Sequence, residues 1–95
     1  MPRPVDTELY GKSLMQSEEV VTVLAALARK KGVQNMDFVK GVLKRIGGTG
    51  FRAYKIVRKL EKAELVTVKW DGSRNWVEPT ERARMLLNER RGGGS

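Results

Sequence analysis

The fold of this chain is decided by residues 49–79, which read TGFRAYKIVRKLEKAELVTVKWDGSRNWVEP. In the first half of this stretch, apolar side chains recur every three or four residues, with lysine and arginine between them. The apolar positions are Ala53, Ile56, Val57 and Leu60. This spacing predicts an amphipathic helix over residues 51–63, with Thr49 as its N-cap and a basic outer face.

In the second half, alternating apolar and polar residues predict a β-hairpin. Residues 65–70 form the first strand, an Asp-Gly pair at 71–72 favours a tight turn, and Pro79 ends the return strand. With the turn centred on that pair, Val68 lies opposite Val77 on the core face. A slip of one residue would exchange the two faces of the hairpin.

Both tryptophans of the chain lie in this hairpin, and each allows more than one interpretation. Trp70 fits a role in closing the core under the hairpin. Trp76, which the same register places beside Lys69 on the outer face, fits a cation–π contact. Base stacking, as in single-strand binders, is the functional alternative, but six aromatic residues are few for a stacking platform. We therefore favour structural roles for both.

Three further helices are predicted around this stretch. The first begins at Ser17 as N-cap, or earlier at Ser13, and ends near Gly32. The second begins after Asn35, and the last begins after Thr80; both residues are suitable N-caps.

Glycines mark the second predicted helix and the turn that follows it. Gly41 lies inside that helix, where it costs about 1 kcal/mol relative to alanine, and its missing side chain would let another helix approach closely. Only residues 47–50 separate the second and third helices, and three of them are glycine. A short glycine-containing turn of this kind is typical of a helix-turn-helix, and it leaves amide groups available to hold a phosphate.

Three segments are expected along the chain. Residues 1–12 form an N-terminal arm because prolines at its start discourage a helix, residues 13–91 form one domain, and residues 92–95 form a flexible tail of linker composition. The apolar residues near the arm pack either on the domain or on a second copy of it. They are Leu9, Tyr10, Leu14 and Met15.

Composition narrows the class of function. The chain has 95 residues, enough for one domain with a core. It contains neither cysteine nor histidine, so disulfides and thiolate metal sites are excluded, and the commonest general base is missing. We expect no enzyme, no catalytic residue, no cofactor, no metal and no membrane-spanning segment. The acidic residues are scattered at helix caps and on polar faces.

The charge favours a polyanionic partner. Nineteen lysines and arginines against eleven acidic residues give a net charge of +8. Residues 49–76 contain seven basic and three acidic residues, so this part of the chain carries about half of the net charge. A basic helix preceded by a helix-turn and followed by a basic hairpin favours DNA over an ordinary solvated surface.

Two stretches resemble winged-helix transcription regulators of the MarR and PadR type. Residues 53–66, AYKIVRKLEKAELV, resemble the recognition helix of that family, which ends in Leu-Glu-x-x-Gly-Leu-Val. Residues 76–83, WVEPTERA, resemble the Leu-Thr-x-x-Gly motif that begins its last helix. Glu64 replaces the glycine of the first motif, which predicts a differently shaped helix exit. Pro79 and Ala83 replace the leucine and glycine of the second.

The resemblance implies a mostly helical α+β fold, a winged helix-turn-helix of three helices, a two-stranded hairpin wing and a C-terminal helix. It also implies which residues contact double-stranded DNA. The start of helix 51–63 would face the major groove, with later residues nearer the backbone and the wing on phosphate or in the minor groove. These residues are Thr49, Gly50, Arg52, Tyr54, Lys55, Arg58, Lys59, Lys69, Ser73 and Arg74. For Tyr54 a place in the core is an equal alternative.

We therefore expect a small transcription regulator that binds DNA as a homodimer, through the arm and the C-terminal helix with Met85 and Leu86. No ligand sensor is expected, because the effector-binding helices of the family have no counterpart here. A cytoplasmic, nucleoid-associated location follows from that role. Two alternatives remain: a sequence-tolerant chromatin or architectural protein, and a winged-helix module that binds protein or RNA.

Overall fold

The structure of the protein, a computed structural model, describes residues 7–30 and 32–92. Residues 1–6 of the predicted arm and residues 93–95 of the predicted tail lie outside the described part. Five α-helices, a 3₁₀ turn and three short strands follow one another in the described residues. They are α1 Thr7–Leu14, α2 Glu18–Arg29, β1 Gln34–Asn35, α3 Met36–Arg45, the 3₁₀ turn Gly50–Arg52, α4 Ala53–Lys62, β2 Val66–Trp70, β3 Asn75–Pro79 and α5 Glu81–Gly92.

Helix α1 corrects the predicted arm, because residues 7–12 are helical and pack on the domain. A Cβ atom on Gly11 would lie 3.2 Å from Leu86 Cδ1, so the absence of a side chain lets α1 approach α5 closely. The far end of α5 is also held, since Arg90 Nη2 lies 2.7 Å from Glu18 Oε1 at the start of α2. Helices α1 and α2 thus both contact α5.

Helix starts follow the predicted caps in three cases. The side-chain oxygen of Ser17 accepts a hydrogen bond from the amide of Val20, and that of Asn35 accepts one from Phe38. Thr80 Oγ1 accepts one from the amide of Ala83 and begins α5. Each oxygen satisfies an amide that has no partner inside its own helix. The alternative start at Ser13 is wrong because that residue belongs to α1.

The core lies where α2, α3 and α4 meet the sheet. Its largest fully buried side chains come from all of these elements and from the segment between α4 and β2. They are Leu24, Leu27, Leu43, Leu60, Leu65, Val23, Val39, Val66 and Val77. Leu14 and Met15 are buried as well, so these two side chains pack on the domain rather than remaining available to a second copy.

The sheet has three antiparallel strands in the order β1-β3-β2, one more than predicted. The hairpin register is the predicted one, with Val68 opposite Val77 and Lys69 opposite Trp76. The additional strand, β1, is two residues long and pairs Gln34 with Val77. A strand this short gives no alternation in the sequence, which is why the periodicity could not predict it.

Two expectations about the helix-turn-helix need correction. Thr49 occupies the N-cap position, but its side chain makes no capping hydrogen bond, and the helix begins as a 3₁₀ turn before α4. A Cβ atom on Gly41 would meet no other part of residues 7–30 and 32–92 within 4 Å outside its own helix, so none of the described helices approaches there. The close approach lies instead at Gly50, where a Cβ atom would lie 3.3 Å from Lys40 Cγ.

The exit of α4 has the geometry that glycine normally provides. Glu64 has φ +59°, in the left-handed region, and the amide of Leu65 donates to the carbonyl of Leu60 over 2.8 Å. This is the pattern of a helix that ends in a left-handed residue. The predicted difference in shape at Glu64 is therefore wrong, because glutamate adopts the conformation of the glycine it replaces.

Candidate nucleic-acid interface

Helix α4 divides cleanly into a buried face and an exposed basic face. The buried side chains Ala53, Ile56, Val57 and Leu60 hold the helix against the core. On the opposite side, exposed residues follow one another at helical spacing and form a stripe along the helix. We call the stripe formed by Phe51, Lys55, Arg58 and Lys62 the outer stripe.

Tyr54 lies beside the outer stripe and is 49% exposed, so the core alternative for this residue is wrong. Lys40 Nζ of α3 lies 5.3 Å from the centroid of the Tyr54 ring, a cation–π distance. Tyr54 thus links α4 to α3 on the outer surface while about half of the residue stays accessible.

Tyr54 also borders a shallow groove that leads from α4 to the hairpin. Trp70, Ser73 and Arg74 line the hairpin side of this groove, and the start of α3 lines its floor. Of the residues predicted on the helix, the structure therefore brings Tyr54 together with the turn of the hairpin in this groove. Arg58 and Lys59 are exposed farther along α4.

Lys69 lies apart from this groove. Alternate residues of a strand point to opposite sides of the sheet, so Lys69 lies on the side opposite Val68 and Trp70. Trp70 is 64% exposed at the groove, so the expectation that it closes the core is wrong. The predicted surface is therefore split, with Lys69 on the outer side of the hairpin and the other hairpin residues at its turn.

The turn of the hairpin is ordered by one carboxylate. Asp71 Oδ1 accepts hydrogen bonds from the amides of Ser73 and Arg74, and Asp71 Oδ2 accepts one from Trp76 Nε1 over 2.6 Å. The hydrogen bond from Trp76, followed by those from the two amides, lowers the pKa of Asp71 below its ordinary value. The indole N–H of Trp76 is thus bonded to Asp71. The cation–π contact observed among the described residues joins Lys40 to Tyr54, not Lys69 to Trp76 as expected.

Arg52 has a partner on the domain itself. Its Nη2 lies 3.0 Å from Glu19 Oε1 at the start of α2, and the side chain stays largely exposed. An exposed pair of this kind contributes at most about 1 kcal/mol. Arg52 therefore lies at the α2 edge of the face, on the other side of the outer stripe from Tyr54.

Sequence reasoning missed three residues of this surface. Phe51 is 82% exposed, and Lys40 and Lys44 of α3 extend over the start of α4 toward it. Phe51 could have been found from helical spacing, because it lies four residues before Lys55 on the polar side of the predicted helix. The two lysines could not, because their position depends on how α3 packs against α4.

A second exposed surface lies along α1 and α5. Leu9 is 65% exposed and Met85 is 59% exposed, while Tyr10 and Leu86 pack partly against the core. Lys12, Glu89 and Arg90 surround a shallow depression between the two helices. The apolar part of this surface is smaller than predicted from sequence, since Leu14 and Met15 are buried.

Comparison with solved structures identifies the architecture. A homodimeric winged helix-turn-helix DNA-binding domain from Mycobacterium bovis, a possible ArsR-family transcriptional regulator, superimposes with a TM-score of 0.71. The match covers 95% of this chain and 81% of that one, at 15% sequence identity. The protein has the winged helix-turn-helix fold. In it, α3 and α4 form the helix-turn-helix, and the hairpin β2–β3 is the wing.

A second solved structure supports the same fold. A mutant of S. aureus MepR bound to an oligodeoxyribonucleotide matches with a TM-score of 0.64 at 19% identity. The match covers 86% of this chain and 60% of that one. No protein-family profile matches the sequence, and comparison with curated proteins gives no match. In the described part of the chain, no helix combines the length and apolarity needed to cross a bilayer.

Proposed function

We propose that this protein binds double-stranded DNA and acts as a small transcription regulator. The observation that carries the proposal is the continuity of two clefts that share Lys40 and Tyr54 and lead from Phe51 and Lys55 of the outer stripe to Ser73 and Arg74 in the wing. Their linings contain four basic residues, Lys40, Lys44, Lys55 and Arg74, against one acidic residue, Asp37. The net charge of +8 supports a polyanionic partner. The two structural neighbours, one a DNA-binding domain and one bound to an oligodeoxyribonucleotide, support DNA as that partner.

In this proposal α4 enters the major groove with the N-terminal half of its outer stripe facing the bases. Lys55 is the base-edge donor of the stripe, and Arg58 and Lys59 lie nearer the phosphates. We assign the amides of Thr49 and Gly50, at the N-terminus of the 3₁₀ turn, to contacts with the DNA backbone. We propose that Arg52 also contacts base edges. To do so, its guanidinium must first break the ion pair with Glu19.

The wing makes the remaining contacts. Ser73 and Arg74 at the turn approach a phosphate or the minor groove beside α4, and Asp71 holds that turn in place through its three hydrogen bonds. Lys69, on the other side of the hairpin, makes a longer-range electrostatic contribution.

We further propose that the DNA-binding form is a homodimer that uses α1 and α5. Leu9 and Met85 are the large exposed apolar side chains of those helices, and one structural neighbour is a homodimer. Two copies would double the contacts with a two-fold symmetric site. Light scattering after size-exclusion chromatography tests this proposal. Met85→Glu should give a monomer, whereas Arg84→Glu, one residue away in α5, should leave the dimer unchanged.

The test of the regulator role is capture of bound fragments from a genomic DNA library, followed by competition with random duplex. A regulator retains discrete sites in the presence of competitor, whereas an architectural protein gives even coverage and loses its complexes. The double substitution Arg52→Glu and Lys55→Glu should abolish capture while the circular dichroism spectrum stays that of the wild type. Capture that is unchanged in this variant would place DNA binding on another surface. Absence of capture by the wild-type protein would favour a protein- or RNA-binding role.

A further inference from the structure

Phe51 is the most exposed large hydrophobic residue in the described part of the chain, at 82% exposure. It lies in the 3₁₀ turn just before α4, a position that a polar residue would occupy without loss of core packing. A single exposed apolar residue is ordinary on a protein surface. Phe51 is unusual because it stands at the tip of the outer stripe, four residues before Lys55 and seven before Arg58.

The surroundings of Phe51 are apolar at the base and basic at the rim. Phe51 and Tyr54 line a shallow cleft of about 540 Å³, which Lys40, Lys44 and Lys55 border. Gly50 lets the start of the helix pack directly on the side chain of Lys40, which leaves the Phe51 side chain outside the domain. The cleft therefore presents an aromatic surface inside a ring of positive charge.

The positive charge of the lysines around the cleft determines which kind of partner can bind there. Two copies of the chain meeting at this cleft would bring like-charged lysines together, which is unfavourable. The fitting partner is anionic at its edges and carries a small apolar group between the charges. The major groove of DNA has both features, because phosphates flank it and the C5-methyl group of thymine projects into it.

The dimensions agree with this assignment. A rise of about 1.5 Å per helical residue places Phe51 roughly 10 Å from Arg58 along the axis, about three base-pair steps of duplex. Phe51 can thus contact a base near the helix N-terminus while Arg58 contacts a phosphate farther along.

We propose that Phe51 is a specificity-determining residue that contacts thymine methyl groups in the major groove. This inference rests on the proposed binding of duplex DNA by α4, and it adds a preference for thymine at the position that the helix tip reaches. The contact is apolar, so it contributes discrimination between bases rather than a dependence on salt.

The test compares two labelled duplexes, one of alternating adenine and thymine and one in which every thymine is replaced by uracil, which removes only the methyl group. Burial of one methyl group contributes about 0.8 kcal/mol, so wild-type protein should bind the thymine duplex about fourfold more tightly. Phe51→Ala should bind both duplexes equally. The side chain is exposed, so the variant should keep the wild-type unfolding transition. The control Lys55→Ala should lose affinity for both duplexes but keep the fourfold ratio.

Four outcomes would overturn the inference. Wild-type binding of both duplexes with equal affinity refutes thymine reading while leaving duplex binding intact. A ratio that survives in Phe51→Ala assigns the preference to another residue. Binding of anionic phospholipid vesicles that depends on Phe51, without a thymine preference, assigns the cleft to a membrane surface. If wild-type protein binds neither duplex at low salt, the proposed function fails and this inference fails with it.

Discussion

Replacing Glu64 by glycine should stabilise the protein. Glu64 is held at φ +59°, and a left-handed conformation costs a residue with a side chain about 1–2 kcal/mol. Glycine removes that cost but adds about 0.4–1 kcal/mol of backbone entropy in the unfolded chain. The net expectation for Glu64→Gly is a gain of about 0.5–1 kcal/mol, or roughly 3–6 °C in Tm for a domain of this size.

The surrounding hydrogen bonds explain why the strained conformation persists. Thr80 Oγ1 donates to the carbonyl of Glu64 over 2.8 Å, and the amide of Thr80 donates to the carbonyl of Leu65 over 3.0 Å. These bonds join the exit of α4 to the start of α5, so the left-handed residue cannot relax without breaking them.

Urea unfolding followed by circular dichroism measures the effect. The matched control is Glu61→Gly, which makes the same chemical change three residues earlier, on the exposed side of α4. There glycine should destabilise by about 1 kcal/mol, because the backbone is helical. A loss of stability in Glu64→Gly similar to that in Glu61→Gly would refute a left-handed conformation at Glu64.

Three other predictions concern separate parts of the domain. Gly41→Ala should raise the free energy of unfolding in urea by about 1 kcal/mol, because α3 gains a better helix former and the new Cβ atom meets nothing within 4 Å. Arg82→Met should also stabilise, by about 1 kcal/mol or more in thermal unfolding, because Nε and Nη2 of Arg82 are buried and hydrogen-bond to no residue in the described part of the chain. Because its pKa is lowered, the Asp71 carboxylate should keep its hydrogen bonds above the ordinary aspartate pKa and lose them only as pH falls through the lowered value. Fluorescence of Trp76 in a Trp70→Phe background should therefore stay constant to below about pH 4 and then change, and Asp71→Asn should remove that transition.

The fold was predictable from sequence wherever periodicity and capping residues agree. The stripe of α4 and the alternation in the hairpin each have a clear period, and the paired strands have the register that the Asp-Gly turn predicts. Strand β1 and helix α1 were missed. The first is too short to show a period, and the second follows prolines that argue against a helix at the start of the chain.

The candidate site was predictable in part, for a physical reason. Lysines and arginines on the polar side of one helix can be assigned from spacing alone, so the exposure of Lys55 and Arg58 on α4 was predictable. Contributions from a neighbouring element depend on tertiary packing, so Lys40 was not found. The same limit applies to ion-pair and hydrogen-bond partners. Neither the ion pair of Arg52 with Glu19 nor the hydrogen bond from Trp76 to Asp71 follows from a local sequence pattern.

Binding of a short labelled duplex as a function of salt tests most directly whether α4 and the wing form a DNA-binding surface. Anisotropy titrations between about 50 and 200 mM salt should give a linear decrease of log K with log salt, and Arg58→Ala should reduce the slope by about 0.9, one phosphate contact. Arg84→Ala is the matched control, because this arginine lies in a groove between α2 and α5. It should keep the wild-type slope. Absence of binding at micromolar protein and low salt, or an equal loss of slope in both variants, would contradict the assignment of this surface.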